Sequence, residues 1–342
     1  MNPRLKRILL WFGYAAAYLF ALLVFAYLTF PYDRLKTRIV SEFNARQTGP
    51  NPARLELDDL GSYWFSGIEA EGVRLVTPAP PPSDASKKAE KPKVMSIDEA
   101  HVRVSILNLL IGRRVMTFGA DAFGGSIDGE VSDSESERNV ELDIEDVDLS
   151  QAPILSEAIE LPTFGKLSGT ATLNAPEARL SKAEGNVSFK IAELAVGDGK
   201  AKIRDTIALP RIDAGELVLE AEAKGGQLKI TQFSATGPDL EFTAEGTIRL
   251  RDQLEHSTLS LNVKFKFTDR YVNKNDLTKS LFGSGGAPGL FDMDPKNKRA
   301  KRPDGFYGWR VSGSVGKPVF TPSSSDFGGS SSRKTKGAKG KE

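Results

Sequence analysis

Leu259-Ser260-Leu261-Asn262-Val263-Lys264-Phe265-Lys266-Phe267 alternates apolar and polar side chains from end to end. Successive side chains of a β-strand point to opposite faces, so this period of two is a strand with one apolar and one wet face. Leu259, Leu261, Val263, Phe265 and Phe267 share the apolar face, while Asn262, Lys264 and Lys266 point outward. Just upstream, Leu240, Phe242, Ala244, Gly246, Ile248 and Leu250 repeat the habit.

Moving outward, the same period recurs. Leu217 and Leu219 lead to Ala221 and Ala223, and Gly225-Gly226 turns the chain into Leu228 and Ile230, as a hairpin would. Val187, Phe189 and Ile191 form one short set, and Leu167, Gly169, Ala171 and Leu173 another. Earlier still, Met116, Phe118, Ala120 and Ala122 lead to the Gly124-Gly125 turn, and Val102, Val104 and Ile106 precede them. Phe306 to Val315 is a last strand, followed by Pro318 and Phe320. The apolar faces mix large residues with Gly and Ala, which permits bending and close approach. The expected fold is mainly β: a long, curled, mostly antiparallel sheet that covers its apolar face as a trough or as a sandwich. In a trough, Phe242, Ile248, Leu261, Val263 and Phe265 line the apolar side. Trp64 and Phe65 read as a core plug at the start of the sheet.

The N-terminus has a different character. Ile8 to Phe30, ILLWFGYAAAYLFALLVFAYLTF, is 23 residues without a charge. As a helix it rises about 34 Å, against a hydrocarbon core of roughly 30 Å. Ile8, Trp11, Phe20 and Phe30 belong to this expected membrane anchor, with aromatics near both ends. A cleaved leader would carry a shorter apolar run and a small-residue cleavage site. Arg4, Lys6 and Arg7 precede the span, but Arg34, Lys36 and Arg38 follow it, so the charge rule alone leaves topology tied. Tyr32 to Gln47 reads as an amphipathic helix with Leu35, Ile39 and Phe43 on one face, stopped by Thr48 to Pro52.

The expected organisation is residues 1–7 before the membrane, 8–30 across it, 31–52 a connecting helix and 53–320 the β-rich domain. Within that domain, 77–93 (proline-rich) and 279–303 read as flexible loops, part of a loop-like span from Thr268 to Arg302. Residues 321–342 read as a disordered basic tail.

Composition closes off several chemistries. The chain has 342 residues, a net charge of +1 and no cysteine. The near-neutral balance argues against nucleic acid as a partner. No cysteine-ligated zinc or thiolate nucleophile can exist. The two histidines, His101 and His256, have no second histidine at ligand spacing. Glu141, Asp143, Glu145, Asp146 and Asp148 read as a solvated strand face, without the glycine-containing loop of a calcium site. No nucleophile, base and stabiliser come together, so no enzyme, metal or cofactor is expected; the one ligand the sheet suggests is a phospholipid.

Several motifs stand in order behind the apolar span: Phe30-Pro31-Tyr32; Ser62-Tyr63-Trp64-Phe65-Ser66-Gly67-Ile68 with Val73-Arg74-Leu75; Ala100 to Gly112 (AHVRVSILNLLIG); Gly124-Gly125-Ser126-Ile127-Asp128-Gly129; and Gly308 to Pro318 (GWRVSGSVGKP). In this order the chain resembles the type II secretion system protein N family, in its AsmA-like form. The resemblance covers nearly the whole chain up to Phe320. It implies a single-pass inner-membrane protein with a cytoplasmic N-terminus and a periplasmic β-rich domain. It also implies partners among the envelope proteins of the secretion system, and kinship with proteins whose curled sheets carry lipid between inner and outer membrane. It supplies no catalytic residue.

Overall fold

The computed structural model describes residues 3–47, 51–79, 92–152, 154–159, 161–199, 202–203, 207–208, 210–283 and 289–324. The chain is mainly β, and its antiparallel strands fall into two compact units, Met1–Glu135 with Val140–Pro153, and Ser136–Asn139 with Ile154–Glu342.

The first unit opens with α1 (Pro3–Leu28) and α2 (Tyr32–Arg46). Strands β1 (Arg54–Glu56), β2 (Asp59–Tyr63), β3 (Gly67–Thr77) and β4 (Lys93–Val104) follow, then α3 (Ile106–Leu110), β5 (Arg114–Ala122) and β6 (Gly125–Asp133). From Val140 it also holds most of β7 (Glu137–Asp148). Strands β1 and β2 both pair with β3, and β3 to β6 pair in sequence order, all antiparallel. The register sets Ile68, Val102, Phe118 and Gly129 side by side on one face, and Glu69, His101, Gly119 and Asp128 on the other. Helix α2 half-buries Leu35, Ile39 and Phe43. Leu55 N–H donates to Asn44 Oδ1 (2.7 Å), Asn44 Nδ2 donates to the Leu55 carbonyl (3.3 Å), and Lys36 Nζ donates to the Asp58 carbonyl (2.5 Å). These bonds tie the helix to the first strands.

Helix α1 is 26 residues long. It begins inside the basic flank, where Pro3 occupies a first-turn position that proline tolerates, and it ends two residues short of Phe30. Trp11 and Phe20 project from it exposed, and Phe30 lies just past its end, half exposed. Among the described residues no helix is long and apolar enough to cross a membrane; the side chains of residues 3–9, Leu23 and Ala26 lie outside that set.

Three readings of the sequence are corrected here. Trp64 and Phe65 do not plug a core: they are 64% and 81% exposed at the β2–β3 turn, where Trp64 takes a positive φ of 52°. Strand alternation does not govern a turn, and a side chain at a hairpin tip has no opposite layer to enter. The span 279–303 is not simply a loop, because helix runs through Phe282 and returns at 295–300. The last strand extends to Pro322, so the tail cannot begin at residue 321. Of the proline-rich segment 77–93, Thr77 and Lys93 are paired strand ends, and residues 80–91 lie outside the described set. So do residues 48–50, 284–288 and 325–342.

The second unit holds α4 (Ile154–Ile159), β8 (Thr163–Pro176), β9 (Glu184–Val196), a separate small pair of β10 (Lys202–Ile203) and β11 (Ile207–Ala208), β12 (Ile212–Lys224), β13 (Gln227–Thr236), β14 (Leu240–Arg249) and β15 (Thr258–Phe267). Helices α5 (Asp269–Val272), α6 (Asp276–Phe282) and α7 (Pro295–Ala300) come next, then β16 (Tyr307–Ser314) and β17 (Lys317–Pro322). The eight long strands pair antiparallel in the order β8-β9-β12-β13-β14-β15-β16-β17. The sheet curls: β12 and β14, two places apart, approach within 8 Å, closer than the roughly 9–10 Å of two flat strand spacings. The cause lies in β13, whose register shifts against both neighbours between Ile230 and Ser234. An extra residue there kinks the strand and increases its twist.

The β12–β13 turn depends on Gly226. Its φ is +75°, its N–H donates to the Ala183 carbonyl (2.9 Å), and its carbonyl accepts from Leu250 N–H (2.7 Å). A Cβ there would collide with the Ser181 backbone. Gly226→Ala is expected to destabilise the unit by about 1–3 kcal/mol, read as a lowered midpoint in urea unfolding. Gly225→Ala, at a turn position with open space around it, should cost less.

Candidate functional site

The five residues expected to line the apolar side lie on one face of β14 and β15. Phe242 stands opposite Phe265, Val263 opposite Ala244, Leu261 opposite Gly246, and Ile248 opposite Leu259. All five are half-buried. The face continues across the unit: Trp309 stands opposite Val263 and Val311 opposite Leu261 on β16. Ala235 and Leu228 join it on β13, Leu217 and Leu219 on β12, Ile191 and Phe189 on β9, and Leu167 and Gly169 on β8. The other face carries residues such as Ser188, Lys190, Glu220, Glu241, Asn262 and Lys264. The strands that carry this face belong to one curled antiparallel sheet.

Trp309 and Phe233 belong to this face, and sequence reasoning did not assign them to it. Phe233 was hidden because the irregularity in β13 shifts parity after Ile230; its ring meets Phe242 edge-on at 5.0 Å. For Trp309 the signal was present: it stands in phase with Tyr307 and Val311 in the last strand.

Both ends of the face are closed, by different means. At the end marked by Phe265 and Phe267, the segment after β15 folds into an aromatic cap. Phe267 contacts Tyr271 (5.4 Å between ring centroids) and Phe282 (4.4 Å), and Phe291 bridges Phe282 (5.5 Å) to Tyr307 (5.1 Å). Tyr307 in turn stacks on Phe265 at 5.6 Å. Polar contacts fix the cap in place. Tyr271 Oη donates to the Pro210 carbonyl (2.8 Å) and Tyr307 Oη donates to Asp292 (2.7 Å). Asp239, fully buried, receives Lys274 Nζ (3.0 Å) and the backbone N–H of Asp213 (3.1 Å), with Arg270 at 3.6 Å. Local chemistry explains why this segment is helical. Asn275 and Thr278 form a capping box at α6, and the Asp294 side chain accepts from Lys296 N–H just ahead of Pro295 in α7. At the other end Ala175, Ala183 and Leu250 are buried, with Leu180, Leu228 and Ile248 packed around them.

Burial pushes the phenols of Tyr271 and Tyr307 well above their ordinary range; for Tyr271 the nearby Asp239 charge adds to this, and for Tyr307 the Asp292 hydrogen bond and charge do. A folded-state value above the unfolded one means that the stabilisation is complete below the unfolded value, about pH 10, and is lost as pH rises above it. The expected result is alkaline loss of cap structure beginning near pH 10, followed by near-ultraviolet circular dichroism. Tyr271→Phe should make that loss shallower.

In the first unit, the neighbouring Glu69 raises the Glu99 carboxyl above its ordinary range, through hydrogen bonding first and charge repulsion second, and His101 stacks on Tyr63 at 4.1 Å. Among the described residues no group of three His, Asp or Glu could hold a metal ion.

Compared with protein-family models, with curated proteins and with solved structures, the chain gives no match.

Proposed function

We infer that the chain is a membrane-anchored lipid-binding protein in which the apolar face of the second unit receives acyl chains. The observation that carries this is the half-buried stripe of Phe242, Ile248, Leu261, Val263 and Phe265 on one face of a single curled sheet, continued by Trp309. An apolar sheet face that stays partly accessible along its length is a surface that an apolar ligand can take. The aromatic cap and the Leu250 cluster bound the stripe lengthwise.

The anchor reading of α1 is supported by its 26-residue length, the uncharged run from Ile8, and the water-exposed apolar side chains from Leu10 to Leu28. With the resemblance described above, this gives a single-pass inner-membrane protein with a cytoplasmic N-terminus and a periplasmic body, carrying phospholipid towards the outer membrane.

Photocrosslinking of the full chain in living cells tests this. Leu261→p-benzoylphenylalanine should yield a lipid adduct by mass spectrometry, and Asn262→p-benzoylphenylalanine, on the opposite face, should not. Equal yields at both positions would sink the reading.

A second reading rests on the ordered motifs from Phe30 to Pro318: an accessory component of type II secretion, partnered by other envelope proteins of that machine. It expects secreted enzymes to accumulate in the periplasm of a deletion strain, and unchanged secretion would remove it.

A further inference from the structure

The first unit carries a second exposed apolar surface. Trp64 and Phe65 form the tip of the β2–β3 turn, and the β4–β5 connection passes through α3, where Leu107, Leu110 and Ile111 are each more than 70% exposed. These two turns are neighbours. Val104 N–H donates to the Ser66 carbonyl (3.3 Å), and Ser105 N–H donates to the Val115 carbonyl (2.8 Å). Five large apolar side chains therefore project from one end of the meander.

That end is also where α1 arrives. The hydroxyls of Tyr27 and Ser62 hydrogen-bond at 2.9 Å, and the Tyr27 ring lies 5.9 Å from Phe65. A cavity of about 500 Å³ lies between them, lined by Tyr27, Phe30, Tyr32, Phe65, Val102 and Val104. Cationic groups stand just behind the apolar tips: the Arg103 guanidinium is 5.8 Å from the Trp64 ring centroid, and Arg113 and Arg114 are exposed after Gly112. Arg114 faces Asp133 across the sheet, which leaves Arg103 and Arg113 as the cations that weigh most here. Apolar and tryptophan tips backed by arginine, continuous with an emerging helix, match the layering of a bilayer surface, where acyl chains give way to anionic headgroups.

We propose that Trp64, Phe65, Leu107, Leu110 and Ile111 form a collar that sinks into the headgroup–acyl boundary of the bilayer holding α1. The proposal rests on the anchor reading of α1. The collar gives the first unit a second attachment, which fixes its orientation on the membrane where a single helix would let it swivel.

The test uses the full chain in vesicles of phosphatidylethanolamine and phosphatidylglycerol. Trp11→Phe with Trp309→Phe leaves Trp64 as the sole tryptophan of the three. With lipids brominated near the headgroup, Trp64 emission should shift to the blue and lose most of its intensity. Adding Leu107→Asp, Leu110→Asp and Ile111→Asp should restore the emission while the protein still floats with the vesicles. Flotation with unshifted, unquenched Trp64 overturns the collar and leaves the anchor standing. A blue shift without bromine quenching overturns it too, because a protein or a second copy then covers these residues. Failure to float overturns the anchor reading and the collar with it.

Discussion

Full-length protein carrying Leu261→Asp and Val263→Asp is expected to lose its bound lipid. With Trp309→p-benzoylphenylalanine as the reporter, the lipid adduct should fall more than about tenfold. The reason is the cost of placing carboxylates against acyl chains without partners, several kcal/mol where about 1.4 kcal/mol is a factor of ten. The two residues are alternate members of β15, on the face that also carries Trp309, so both charges would stand in the same stretch of the stripe. Ser260→Asp with Asn262→Asp adds the same charge to the same strand on the opposite face and should leave the adduct unchanged. Equal losses in both variants would mean that charge or instability, and not the apolar face, decides the yield.

The largest effect on stability is expected at Tyr271. It is fully buried at the centre of the cap, its ring lies against Phe267 and Phe282, and its hydroxyl satisfies the Pro210 carbonyl. Tyr271→Ala removes a large core side chain and leaves a cavity, which costs about 3–5 kcal/mol. Tyr271→Phe keeps the ring and should cost about 1 kcal/mol for the lost hydrogen bond. Hydrogen exchange of α5 and α6 distinguishes a local from a global effect. If the helices only serve to close one end of the stripe, Tyr271→Ala should release them while β8 and β9 stay protected. Unchanged protection of α5 and α6 in Tyr271→Ala would show that the aromatic cluster does not hold the cap.

Period-two alternation was strong enough in the sequence to determine that this chain is mainly β and antiparallel, and to place Phe242, Ile248, Leu261, Val263 and Phe265 on a common face. Side-chain direction in a strand is set by the backbone itself, so residues two apart share a face whatever surrounds them. The Gly225-Gly226 turn was legible for a similar local reason. What covers the face was not legible, because residues that line a trough and residues that fill a sandwich are the same apolar types. Only the tertiary structure decided that an aromatic cap closes one end of it. The cap was hidden because α5, α6 and α7 run only four to seven residues, too short to display a helical period, and their stability comes from capping groups and from rings contributed by β15 and β16. Trp64 and Phe65 show the same division. Composition marked them as core, but a turn conformation, set by how β2 and β3 pair, placed them in solvent beside the end of α1.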